Sequence, residues 1–398
     1  MSASSGPAAG TAAEGAAAPL HPLLAGGREY PFVTLDRRRD ALAPPGVRII
    51  NFGIGDPREE TPAFIRRTLA ESVPAMSSYP ASAGRPELRA ACAAWLARRF
   101  GVTADPERHV LPANGTKEAV FTLALAVVDP AADQRVVVIP TPAYPVYEAG
   151  ARFAGAEVHL VPLRSEDGWM FDPGRVPDEV WRRTALLWLN SPHNPTGATL
   201  GRDALARVHA LARRHGFWIA ADEAYAEVYF DVVPPSMLEI GFDHVLSLHT
   251  LSKRSAMTGY RSGFMCGDAR LIDALRRFRP NLGVATPDFV QAAAIAAWND
   301  DAHPAEQRAR YAAKRGILLE HFAARGWTVE ASTASFYLWM RAPGGDDVAF
   351  VERLLAVGVV AMPGSFLGPG GEGFVRWALV PTPEDCRAAV ARLAEVAA

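Results

Sequence analysis

At 398 residues the chain is long enough to bury a large core, and its length suggests two or three domains. The formal net charge is −2, from 41 basic and 43 acidic side chains without a long run of one sign, so neither a nucleic-acid footprint nor a patch for anionic membranes is expected. No uninterrupted apolar stretch reaches the roughly 18 residues of a membrane span, and the three cysteines, Cys92, Cys266 and Cys386, form no CxxC, which argues against a zinc site or a disulfide framework. Free thiols in a reducing, cytoplasmic compartment and a small soluble substrate are the expectation; no metal is expected.

Residues 1–27 are mostly Ala, Gly, Ser and Pro, with neither a basic n-region nor a continuous apolar core, so a signal peptide is not expected. They read as a disordered tail or a translation-start artefact. From Tyr30 come a short amphipathic helix through Leu35 and Leu42 and a strand-like Val47–Phe52. The loop Gly53-Ile-Gly55-Asp-Pro57 follows, its glycines allowing close backbone approach to a ligand or simply making a turn. Thr61 and Pro62 read as the N-cap and first-turn proline of a helix. Tyr79, before Pro80 and Gly84, is a surface turn tyrosine on its local sequence, and a helix then runs to Arg99 and closes at Gly101.

Seven candidate strands follow, at 108–112, 135–139, 156–161, 185–189, 217–221, 244–249 and 262–266, separated by helical stretches. The alternation predicts an α/β fold with a largely parallel sheet covered by helices on both faces and catalytic groups beyond the carboxyl ends of the strands. After the first strand, Asn114-Gly115-Thr116-Lys117 opens an apolar helix at 117–128, where free N–H groups and the helix dipole suit a phosphate. Pro142-Ala-Tyr144-Pro follows the second strand. After the fourth, Asn190-Ser-Pro-His193-Asn194-Pro-Thr-Gly197 is a dense turn cluster. After the fifth, Asp222-Glu-Ala-Tyr225 ends a buried apolar run with a carboxylate, costly unless paired; a helix N-cap is the structural alternative. Arg276, Arg277 and Arg279 lead to a helix at 286–299. Beyond it lie a helix at 303–325, strands at 327–331 and 334–341, a helix at 346–357 and the strand Phe374-Val-Arg376-Trp-Ala-Leu. A buried arginine such as Arg376 needs an anionic partner, and its planar fork fits a carboxylate. Thr382-Pro-Glu-Asp caps the C-terminal helix.

The stretch Ser247-Leu-His-Thr250-Leu-Ser252-Lys253-Arg-Ser-Ala-Met-Thr-Gly-Tyr-Arg261-Ser-Gly263 organises the rest. It sets one lysine at the end of an apolar strand among hydroxyls, with an arginine suited to a phosphate. An amine that attacks a carbonyl and a fork that holds a phosphate meet in pyridoxal 5′-phosphate. The full pattern should arise by chance in on the order of one chain in a thousand. Thr250-x-Ser252-Lys253 with Arg261-x-Gly263 resembles the cofactor-lysine signature of the class I and II aminotransferases, of fold type I among pyridoxal-phosphate enzymes.

The resemblance covers roughly residues 30–396. It implies a large domain at 59–299 around the seven-stranded sheet and a smaller α+β domain built from 28–58 and 300–398. It also implies a covalent cofactor bond at Lys253, with the phosphate held by Thr250, Ser252, Arg261 and the Gly115-Thr116-Lys117 turn. Tyr144 would stack on the pyridine, and Asp222 would keep the ring nitrogen protonated. Tyr225 and Asn194 would bond the 3′-oxygen, while Arg376, Asn194 and the Gly55 backbone would hold the substrate. In a homodimer with shared sites, Tyr79 would reach the other subunit's phosphate. Within the family, Leu251-Ser-Lys-Arg-Ser, Ala296-Ala-Trp-Asn-Asp300, Tyr30-Pro-Phe and Gly373-Phe-Val-Arg are most similar to the N-succinyl-diaminopimelate aminotransferases of bacterial lysine synthesis, with glutamate as donor. Lys117, Arg58 and Arg279 are the basic candidates for a distal anionic group. A transaminase for another amino acid, or a lyase or cyclase, is the alternative; an aminotransferase-like regulator would need a DNA-binding domain that residues 1–27 cannot supply.

Overall fold

The computed structural model describes residues 18–25 and 30–396. Most of the expected tail lies outside the described residues. Its segment 18–25 departs from disorder by forming one helical turn, Pro22–Ala25, where His21 stacks on Phe153 with ring centroids 5.4 Å apart.

Thirteen strands occur among the described residues: β1 (Ile50–Asn51), β2 (Val110–Ala113), β3 (Val136–Thr141), β4 (Glu157–Pro162), β5 (Thr184–Asn190), β6 (Trp218–Asp222), β7 (Val245–Thr250), β8 (Gly263–Gly267), β9 (Val329–Ala331), β10 (Tyr337–Arg341), β11 (Val359–Val360), β12 (Met362–Pro363) and β13 (Phe374–Ala378). Strands β2 to β8 are the seven expected from sequence. They form one sheet in the order β2-β8-β7-β6-β5-β3-β4, parallel except for β8, which runs against both of its neighbours. Every residue of β3, β5 and β7 is buried; β3 and β5 accordingly read as nearly continuous apolar runs, while β7 also buries the polar Ser247, His249 and Thr250. One face is covered by the helices Thr116–Val127, Val146–Phe153 and Ala269–Phe278, the other by Pro86–Phe100, Arg202–His215 and Asp288–Trp298.

A second, antiparallel sheet has the order β12-β13-β10-β9, packed against the helices Ala302–Ala324, Asp347–Ala356 and Pro383–Leu393 through Leu318, Phe322, Phe350 and Leu393. Separately, β1 pairs in parallel with β11, Ile50 beside Val359. Thr382 caps the last helix as expected, its hydroxyl accepting from Asp385 N at 3.1 Å. Thr61 does not cap its helix; Pro62 occupies that position without a side-chain bond, and the Thr61 hydroxyl instead donates to Ala256 O at 2.6 Å. The strand expected at 334–341 starts only at Tyr337, because Ser335 takes a left-handed φ of 60° that extended backbone cannot hold. All three cysteines are free and buried, and among the described residues no helix is long and apolar enough to cross a membrane.

Candidate active site

A cleft of about 430 Å³ opens at the carboxyl ends of β5, β6 and β7, beside the N-terminus of the helix Thr116–Val127. Lys253 sits in it on a single helical turn, Leu251–Arg254, that begins as β7 ends and is capped by the Thr250 hydroxyl accepting from Ser252 N at 3.1 Å. Its Nζ donates to Gly55 O at 2.5 Å. Removal from solvent lowers the Lys253 ammonium to about 8; the Asp56 carboxylate opposes this, and the Arg376 and Arg261 cations add to it.

Asp222 ends β6 and is buried, its pKa raised by loss of solvent. Its Oδ2 accepts from the Tyr147 hydroxyl at 2.6 Å and its Oδ1 from Ala224 N at 3.2 Å; no lysine or arginine among the described residues forms an ion pair with it. Tyr147 in turn stacks on Trp188 with centroids 4.5 Å apart, and Tyr144 meets Tyr147 edge-on at 5.8 Å. The Tyr225 hydroxyl lies 3.1 Å from that of Tyr337. Asn190, the last residue of β5, donates to Asp222 O at 2.7 Å and accepts from Asn194 N at 2.7 Å, which ties the two strand ends together. The Asn194 side-chain Oδ1 accepts from Arg376 Nη1 at 3.0 Å. Arg376, only 1 % exposed, also donates to Gly53 O at 2.6 Å, lies over the Tyr337 ring and leaves its Nε unpartnered.

At the opposite end, Thr116 and Lys117 line the cleft with Thr250, Ser252 and Arg261. Arg261 donates to Thr258 O at 2.9 Å and to Asn114 O at 3.3 Å. Gly115, at φ 73°, leaves it room: a Cβ there would lie 2.5 Å from Arg261 Nη2. Thus Gly55, Gly115, Thr116, Lys117, Tyr144, Asn194, Asp222, Tyr225, Thr250, Ser252, Lys253, Arg261 and Arg376 converge on one place.

Tyr79 does not join them; it is fully exposed and outside the lining of the cleft. Arg58 is also exposed and elsewhere. Arg279 is excluded as a partner of a distal substrate group, since it is 2 % exposed and its fork is taken up by Glu118 at 3.0 Å and by Pro112 O. Only Lys117 of the three basic candidates lines the cleft, its ammonium 5.2 Å over the Tyr30 ring. Sequence reasoning passed over Tyr147, Asn190 and Tyr337, and gave no role to Tyr30 or Asp56. Tyr147 stands three residues after Tyr144 and Asn190 four before Asn194, spacings that hinted at the first two; nothing local marked Tyr337.

The model of the aminotransferase class I and II family matches residues 47–393. The chain belongs to that family. This aminotransferase is 40% identical over 363 residues to the LL-diaminopimelate aminotransferase of Desulforudis audaxviator, covering 89% of this chain and 92% of that one. It is 38% identical over 373 residues to that of Dehalococcoides mccartyi, with 92% and 95% covered. Among solved structures, a probable N-succinyldiaminopimelate aminotransferase from Thermus thermophilus aligns with a TM-score of 0.85 at 31% identity over 92% of this chain and 100% of the other. The protein is therefore a pyridoxal-phosphate-dependent transaminase that acts on an amino acid and a 2-oxo acid. Its residues fit the cofactor: a buried carboxylate without a cation suits a protonated ring nitrogen, and the Gly115–Arg261 cradle beside a helix N-terminus suits the phosphate.

Proposed function

We propose that this transaminase exchanges an amino group between glutamate and 2-amino-6-oxoheptanedioate, with LL-diaminopimelate as the aminated partner, in the reducing cytoplasm. The observation that carries the reading is identity of 38–40% to proteins named LL-diaminopimelate aminotransferase over about nine-tenths of the chain. The cleft supports it. The distal end of diaminopimelate bears both an ammonium and a carboxylate, and the cleft wall offers Asp56 and Lys117. An N-succinyl group would remove that ammonium and leave Asp56 without a distal cation to meet. The N-succinylated substrate remains the second reading, favoured by the name of the Thermus thermophilus neighbour. Comparing kcat/KM for LL-diaminopimelate, N-succinyl-LL-diaminopimelate, ornithine and aspartate with 2-oxoglutarate as acceptor tests both. LL-diaminopimelate should exceed the others; a higher value for the succinylated compound would reverse the assignment, and a higher value for aspartate or ornithine would remove it from this pathway.

In this reading Lys253 anchors the cofactor, Asp222 holds its ring N–H, Tyr144 covers its face, and Asn194 and Tyr225 bond its phenolic oxygen. Thr250, Ser252, Arg261 and the Gly115-Thr116-Lys117 turn hold the phosphate. Pyridoxal phosphate supplies an electron sink that makes a substrate Cα–H acidic. Arg376, through its forked donors and with Asn194 beside it, binds the α-carboxylate and so orients that Cα–H toward Lys253. With the cofactor bound, Lys253 Nζ would take the Cα proton and hold it as an ammonium for onward transfer, a role suited to an amine whose pKa is about 8. We infer a homodimer in which the exposed Tyr79, flanked by exposed Val73 and Met76, completes the phosphate site of the second subunit.

A further inference from the structure

Two buried side chains near the cofactor-lysine turn, His303 and Ser255, together with the half-buried Asp300, have no part in the chemistry above. His303, in the first turn of the helix Ala302–Ala324, places Nδ1 2.6 Å from Asp300 Oδ1 and Nε2 2.8 Å from Ser255 Oγ. Ser255 is two residues beyond Lys253 and has no solvent-accessible surface. The arrangement has the order of a hydrolytic triad, but a hydroxyl closed off from solvent meets no ester, so a nucleophilic role is excluded.

The protonation of this relay follows from its neighbours. Arg254 Nη1 also lies 3.3 Å from His303 Nε2, and a guanidinium can only donate. His303 Nε2 is therefore the bare nitrogen, accepting from Arg254 and from the Ser255 hydroxyl, and Nδ1 carries the proton toward Asp300. The groups facing the imidazole are Arg254 and Ser255 from the cofactor-lysine turn, Asp300 and Asp301 from the junction before the helix, and the edge-on ring of Phe64. Burial, with the Arg254 cation adding to it, lowers His303 to about 4, so the ring stays neutral and the relay keeps one orientation across physiological pH.

The turn that the relay holds needs holding. Ala256, immediately after Ser255, takes φ 50°, a left-handed conformation disfavoured for a residue with a Cβ. Arg254 completes the attachment by donating to Ala297 O at 2.6 Å and Asp300 O at 2.8 Å, which satisfies carbonyls at and just beyond the end of the helix Asp288–Trp298. The segment that carries Lys253 is thus fastened at two successive residues to the junction between two long helices.

We propose that Ser255 and His303 are positioning residues for transamination, resting on the role of Lys253 given above. His303 fixes the Ser255 turn, and that turn sets the direction of the Lys253 amine toward the substrate Cα. Ser255→Ala, which deletes one oxygen atom, is the decisive variant; His303→Leu removes the ring, and His303→Gln keeps an amide that can accept from Ser255 and donate to Asp300. The holoenzyme variants are measured for kcat, for KM of the amino donor, for thermal midpoint and for the pH midpoint of the cofactor's visible absorption. Ser255→Ala and His303→Leu should each lower kcat about tenfold with KM changed less than twofold, and should shift the absorption midpoint. The double variant should be no worse than the poorer single one, and His303→Gln should recover most of the rate. Unchanged kcat and an unmoved absorption midpoint in folded Ser255→Ala, whatever its thermal midpoint, would overturn the proposal. Borohydride labelling of Lys253 in the parent enzyme separates that outcome from a failure of the Lys253 assignment itself.

Discussion

For Lys253, the magnitude of the shift decides the chemistry. At the ordinary lysine pKa of 10.5, roughly one amine in three thousand would be neutral at pH 7, whereas at about 8 it is roughly one in ten. The neutral fraction rises with pH, so the rate at which cofactor-free enzyme takes up pyridoxal phosphate should climb to a plateau with a midpoint near 8. A midpoint near 10.5 would show that the lowered value has no kinetic meaning. Borohydride should fix the cofactor on Lys253 alone, and Lys253→Ala should give no stable label. For Arg376, buried with its fork aimed along Asn194, the lysine variant keeps the charge and loses the paired geometry. A charged hydrogen bond is worth about 1.5–3 kcal/mol, so Arg376→Lys should lower kcat/KM about 10- to 100-fold for every amino donor alike. A loss confined to dicarboxylic donors would move Arg376 to the distal end of the substrate.

Among the elements, the turn before the helix Thr116–Val127 is sensitive to a single added atom. Gly115→Ala must place a Cβ at φ 73° and displace the Arg261 guanidinium from 2.5 Å away. Cofactor affinity should fall tenfold or more while the thermal midpoint of the cofactor-free enzyme drops only a few degrees; an unchanged affinity would remove Arg261 from the phosphate site. The seven strands of the main sheet were legible in the sequence because most are covered on both faces and read as short, largely apolar runs, several of them ending at Gly, Asn or Asp punctuation, as at Asn114-Gly115, Asn190, Asp222 and Gly267. The site was legible where a motif is contiguous, as at Thr250–Arg261 and Asn190–Gly197. It was not legible where the partner is remote. Tyr147 bonds Asp222 across 75 positions and Tyr337 meets Tyr225 across 112, and no local pattern encodes either contact. Arg279 misled for the same reason. Its nearness in sequence to an active-site loop carried no information about Glu118, 161 positions away, which neutralises it.

At the scale of the whole molecule, the two sheets suggest a large lobe around 59–299 and a smaller one assembled from both flanks, a division we propose on the pairing of β1 with β11. If Tyr79 serves a second copy, sedimentation should give twice the 42.7 kDa chain mass at micromolar concentration, and Tyr79→Phe should weaken cofactor binding about tenfold without dissociating the dimer. A fully active monomer would refute the shared site. The β1–β11 pairing also bears on how the protein is made. Ile50 leaves the ribosome about three hundred residues before Val359, and at roughly 5–20 residues per second its partner is missing for on the order of 15–60 s. During that interval Leu35, Ile50 and Phe52, all destined for full burial, have nothing to pack against on the C-terminal side. The nascent N-terminal flank is thus a natural client for a chaperone that shields apolar segments until synthesis is nearly finished.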